Sequence, residues 1–180
     1  MSSFDKVLAC LKALGLRNPS PDNFEEKLVI QKAVYLLQLR GVQTGFEFNL
    51  YVRGPYSPAL TAEIYGHRRE LRLLETPIRL TMNEARAVGQ LREWTHLQPS
   101  LLEVAATYAY FSIQLGRDPL ESTRGVRSLK GFYPESQIAL GISLAKKFLI
   151  PPTAAELAEM REEHAALEDA SLRDLARSNR

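Results

Sequence analysis

The sequence predicts a mainly α-helical protein: a winged-helix-like N-terminal half with one small β-ribbon or sheet, a helical C-terminal half and a long final helix. Two observations carry this. Helix starts recur along the chain as Ser/Thr/Asp-x-x-Glu boxes or proline-led caps, each followed by apolar residues at three- and four-residue spacing. A period of two appears clearly in one place, where Phe48, Leu50 and Val52 alternate with Asn49, Tyr51 and Arg53.

Taken in order, Phe4, Val7, Leu8, Leu11 and Leu14 form a helical stripe that Gly15 ends. Asp22 with Glu25 reads as a capping box for a second helix reaching about Leu39. That helix is apolar on more than one face, which places it centrally. Gly41 and Gly45 flank the turn into the alternating segment, and Gly54-Pro55 breaks it. Ser57 then caps a helix with Pro58 at its first position. Leu73–Glu75 and Ile78–Leu80, either side of Thr76-Pro77, are expected to form the ribbon.

Thr81 with Glu84 opens the next helix, on which Trp94 reads as a core anchor. Pro99-Ser100 with Glu103 opens another, apolar nearly all round from Leu101 to Ile113, with Glu103, Thr107 and Gln114 roughly on one face. Asp118-Pro119 with Glu121, and Tyr133-Pro134, mark two more starts. After Pro151-Pro152, Thr153 with Glu156 opens the final helix, whose thin seam is Leu157, Met160, His164, Leu167 and Leu172. The expected organisation is one winged-helix-like and helical domain over 1–150 and an amphipathic helix over 151–180.

Composition is that of a soluble globular protein, 45% hydrophobic and 24% charged, with a formal net charge of +2. The charge is uneven: residues 154–180 hold 7 acidic and 4 basic side chains, net −3, leaving +5 on the rest. That asymmetry suits docking of the last helix on a basic surface, in cis or in a homodimer. One cysteine excludes an internal disulfide and a cysteine-rich zinc site, and Cys10 reads as a small buried hydrophobe. The start Met1-Ser-Ser-Phe-Asp lacks the basic and apolar regions of a signal sequence, and no apolar run reaches bilayer length, so a cytoplasmic location is expected.

No catalytic, metal or cofactor site is expected. His67, His96 and His164 fall on separate elements without ligand-spaced neighbours. Gly41-x-x-x-Gly45 leads into a strand, not from a strand into a helix, and so is no phosphate loop. Two binding surfaces remain. Tyr51, Arg53 and Tyr56 bracket the Gly-Pro turn, and tyrosine with arginine is the composition of interface anchors. Arg68, Arg69, Arg72 and Arg79 are the alternative, contacting nucleic-acid phosphates as in a winged-helix DNA-binding regulator. Against that stands the Ser57 helix, Pro58-Ala-Leu-Thr-Ala-Glu-Ile-Tyr65, which offers no Arg, Lys, Asn or Gln to base edges. A second basic set, Arg117, Arg124, Arg127 and Lys130, is equally open to a structural reading.

Lys27-Leu-Val-Ile-Gln-Lys-Ala-Val-Tyr-Leu-Leu37, the aromatic segment into Arg53-Gly-Pro-Tyr-Ser-Pro-Ala-Leu60, and Ile78-Arg-Leu-Thr81 together resemble the YwgA-type proteins and the related Panacea domain of SocA-like antitoxins. Leu101–Tyr110, Val126-Arg-Ser-Leu-Lys130 and the Pro134 helix are similar to the helical half of the YwgA-like members, so the resemblance spans roughly 25–148. It implies a non-catalytic module with a protein partner, a toxin in the antitoxin-like members.

Overall fold

The computed structural model describes residues 3–150. Helices α1 (Ser3–Leu14) and α2 (Phe24–Leu39) lead to a hairpin of β1 (Asn49–Tyr51) and β2 (Gly54–Tyr56). Then follow α3 (Pro58–Gly66), α4 (Arg68–Leu73), α5 (Met82–Thr95) and α6 (Pro99–Ala109). Helix α6 continues into a π-helical turn (Tyr110–Gln114), and α7 (Pro119–Lys130) and α8 (Glu135–Leu149) complete the described part. The fold is mainly α with one small antiparallel sheet. The expected final helix, with its seam and its docking or dimer contacts, lies outside the described residues.

The two central helices are those whose apolar residues run around the whole circumference. Every residue from Leu28 to Leu37 in α2 is buried, as is every residue from Leu101 to Ala109 in α6. The two pack against each other, and α8 lies along α6. Gly141 permits that approach: a Cβ there would stand 2.6 Å from the Val104 side chain. Cys10 is buried in α1, and burial pushes its thiol up to about 12, so it acts as an apolar filler. Trp94 is part-buried and meets the Phe148 ring edge-on at 6.2 Å.

Several helix starts form as the residues predict. Ser57 Oγ accepts from Leu60 N–H, Thr81 and Glu84 complete a capping box, and Asp118 accepts from Leu120 and Glu121 N–H. Two do not. Asn23, not Asp22, caps α2, because its carboxamide oxygen reaches Glu25 and Glu26 N–H, while Asp22 pairs with Arg68. Glu103 does not cap α6: it lies a full turn inside and is fully buried.

The ribbon expected over 73–80 is absent. Arg68–Leu73 forms helix α4 and the chain is irregular from there to Thr81. Leu71 and Leu74 are both buried, a three-residue spacing that suits a helical turn better than a strand. The two strands instead pair with each other ahead of α3, in the register Asn49↔Tyr56, Leu50↔Pro55 and Tyr51↔Gly54. Gly54-Pro55 therefore belongs to the second strand and does not end the first. Val52 stands at the turn, 87% exposed, and does not continue the inward face of Phe48 and Leu50.

Candidate functional site

A hairpin with three residues per strand is marginal by itself, so its position is set by what it rests on. Two buried lysines from different helices donate to it, one at the second strand and one at the turn. Lys32 Nζ of α2 meets the Pro55 carbonyl at 2.6 Å, and Lys130 Nζ of α7 meets the Val52 carbonyl at 2.9 Å. Beneath them lies Glu103 of α6, without solvent exposure. Its Oε1 accepts from Lys130 at 2.8 Å; its Oε2 accepts from Tyr133 Oη at 3.2 Å and from Arg53 Nη1 at 3.5 Å. Two cations and a phenol thus share one carboxylate, with the Lys32 ammonium as a third positive charge nearby.

Close approach to α6 is made possible by Gly54, whose φ is +83°. A Cβ there would stand 2.5 Å from Thr107 Oγ1, a hydroxyl that donates to the Glu103 carbonyl at 2.7 Å. The predicted polar face of α6 is therefore the hairpin's seat. Glu103 and Thr107 meet its turn, and Gln114 donates to the Phe48 carbonyl at 3.0 Å. Gln31 of α2 fixes the exit, accepting from Ser57 N–H at 2.9 Å and donating to the Ser57 carbonyl at 3.0 Å.

The electrostatics follow from burial. Desolvation pulls the Lys32 ammonium down to about 7; Glu103 opposes the shift, while Lys130 and Arg53 add to it. Desolvation lowers Lys130 as well, with Glu103 holding it back. Burial, reinforced by Glu103, raises the Tyr133 phenol. Below about pH 7 Lys32 is charged both folded and unfolded. Above it the folded amine loses a proton that the unfolded one keeps, so the unfolded state binds more protons and stability rises with pH. The midpoint of urea unfolding is expected to rise from pH 7 to pH 8.5, and Lys32→Met is expected to flatten that rise.

Outward, the three residues singled out in the sequence divide: Tyr51 pairs with Tyr56, while Arg53 lies by Phe24 and Phe132. The Tyr51 and Tyr56 rings meet edge-on at 5.2 Å, and the Arg53 guanidinium lies 5.4 Å from the Phe132 ring and 5.9 Å from the Phe24 ring. Phe24 is 58% and Phe132 60% exposed, so an aromatic patch surrounds a half-exposed arginine. Beside it a recess of about 300 Å³ opens between α2, the hairpin and α3.

The arginine alternative is divided. Arg68, Arg69 and Arg72 of α4 line one shallow recess, but Arg68 is paired with Asp22 at 3.0 Å and lies over the Tyr65 ring. Arg79 lies in the irregular segment before α5 and is not among the residues lining that recess. The second basic set also separates: Arg127 pairs with Glu135 at 2.5 Å, Arg117 covers the Phe111 ring, and Lys130 is sealed under the hairpin.

Sequence reasoning missed Lys32 and the pairing of Glu103 with Lys130. A charged residue inside a run apolar on every face was the available signal for Lys32 and Glu103. Among the described residues, no three His, Cys, Asp or Glu side chains lie close enough to hold a metal ion, and no helix is long and apolar enough to cross a membrane. Comparison with known proteins finds no matching family model, no matching curated protein and no matching solved structure.

Proposed function

We propose that the chain is a non-catalytic, cytoplasmic protein-interaction module of the antitoxin or adaptor kind that grips its partner with the 49–56 hairpin and the aromatic side chains around it. The exposed patch of Phe24, Arg53 and Phe132 carries this reading. Large aromatics with a central arginine make up the residues that dominate binding energy at protein interfaces, and a contiguous exposed apolar surface marks a place of contact. The support beneath favours the same reading. A hairpin tied to three helices loses little freedom on binding, and pre-organisation of this kind strengthens association. The resemblance to the YwgA-type and Panacea families favours a toxin as the partner.

The test is co-purification of the full chain with the products of its neighbouring genes. Arg53→Ala combined with Phe132→Ser, folded by circular dichroism, is expected to weaken the complex at least about 100-fold, at roughly 2 kcal/mol or more for an anchor residue. Arg86→Gln on α5 is expected to leave it intact. Equal affinity of the hairpin variant and the wild type would contradict the reading.

A second reading, a DNA-binding regulator, draws on the shared recess of Arg68, Arg69 and Arg72. It requires saturable DNA binding at physiological salt that Arg68→Ala with Arg69→Ala abolishes.

A further inference from the structure

The recess beside the hairpin has a one-sided charge. Lys27, Lys32 and Arg53 line it, together with the rings of Phe24, Tyr56 and Tyr65, and no carboxylate is among the residues of its wall. The nearest anion in the network is Glu103, which is sealed and already accepts from Lys130, Tyr133 and Arg53. Lys32, Lys130 and Arg53 against Glu103 make three positive charges to one negative. Lys27 adds a fourth, and its hydrogen bond goes to a neutral group, the Tyr65 hydroxyl, at 2.7 Å.

We propose that this recess is a receptor site for a carboxylate side chain of the protein partner, an Asp or Glu flanked by an aromatic or large apolar residue. The inference rests on the interaction reading above and specifies the partner's chemistry. An ammonium has three N–H donors and a guanidinium five. Lys27 and Lys32 each use one in the bonds described, so donors remain for two carboxylate oxygens. Arg53 offers the fork that carboxylates take in pairs of bonds. Its distances of 5.9 and 5.4 Å to the Phe24 and Phe132 rings link the recess to the exposed aromatic patch, which would receive the apolar neighbour. Lys32 is 2% exposed, so its own charge acts from largely desolvated surroundings, where attraction between opposite charges is stronger.

The bound carboxylate would also hold Lys32 in its charged form. Lys32 is faced by Glu103 from α6, Lys130 from α7 and Arg53 from the hairpin, and burial leaves its ammonium titrating at about 7. Acid-specific affinity is therefore expected to increase as pH falls from 8 to 6, a range in which a peptide carboxylate stays ionised.

The test uses the full chain and blocked peptides that pair phenylalanine with glutamate, against the same peptides with glutamine in its place. Binding is read by NMR titration at low and at 200 mM salt. The acidic peptide is expected to bind at least 10-fold more tightly than the amide at low salt, with the gap narrowing at higher salt. Arg53→Gln is expected to close the gap and Arg86→Gln to preserve it. Equal affinities, a gap that survives Arg53→Gln, or binding of phenylacetate alone with no affinity for the peptide would each overturn the proposal. Loss of partner binding in Phe132→Ser without any acid preference would overturn the receptor site yet leave the interaction module standing. Acid preference without a neighbouring-gene partner would support the site.

Discussion

Glu103→Gln is expected to destabilise the protein by about 3–5 kcal/mol, the cost of breaking a buried ion pair by removing one partner. A domain of this size is stable by only about 5–15 kcal/mol, so the loss is a large share of the total. The reason is the uneven count of charges. With the carboxylate gone, Lys32 and Lys130 are buried beside no anion, the half-exposed Arg53 loses its ion pair, and the single amide oxygen of glutamine cannot accept from both Lys130 and Tyr133 as the two carboxylate oxygens do. Urea unfolding should show a lower midpoint. The variant should also recover stability more steeply than the wild type as pH rises above 7, because its buried amines are relieved by losing protons. Lys32→Met should behave differently. It removes one of three cations and leaves the Glu103–Lys130 pair intact, so its cost is confined to the unpaired Pro55 carbonyl, about 1–3 kcal/mol less the desolvation penalty that disappears with the ammonium.

Gly54→Ala is expected to cost about 2–5 kcal/mol from two separable causes. The left-handed φ of +83° carries roughly 1–2 kcal/mol for a residue with a Cβ. Contact of that Cβ with Thr107 Oγ1 at 2.5 Å adds roughly 1–3 kcal/mol of overpacking, since the hydroxyl is held by its bond to the Glu103 carbonyl. Gly41→Ala provides the comparison. Its φ of +88° is similar and nothing lies within 4 Å of the added Cβ, so it should show the backbone part alone. Combining Gly54→Ala with Thr107→Ala should return the steric part and leave the backbone part, a coupling that a double-mutant cycle in urea measures directly.

The parts of the molecule legible in the sequence are those fixed by local chemistry. Ser57-Pro58, Thr81 with Glu84, and Asp118-Pro119 announce helix starts because the cap and its partner lie within three residues. The all-round apolar character of α2 and α6 foretold their central place. The Tyr51–Tyr56 ring pair is local because a glycine-proline turn brings the two close in sequence, whereas the Phe24 and Phe132 rings beside Arg53 come from distant segments. What was not legible depends on distance along the chain. Glu103 and Lys130 meet across 27 residues and Lys130 and Val52 across 78, separations that carry no periodic signature. Glu103 stands three residues after Ser100, so it fits a capping pattern until the fold shows it facing inward. Arg68–Leu73 offered one buried leucine and four charged side chains, too little apolar pattern to distinguish a short helix from a strand.

The hairpin's seat on a largely buried site with more positive than negative charge underlies the stability, interaction and receptor predictions alike. Its most direct measurement is an NMR pH titration of the Lys32 side chain, with the resonance assigned by Lys32→Met. The structure predicts a midpoint of about 7. A midpoint near 10.4, where an unperturbed lysine titrates, would show the ammonium to be solvated or fully compensated and would contradict the account.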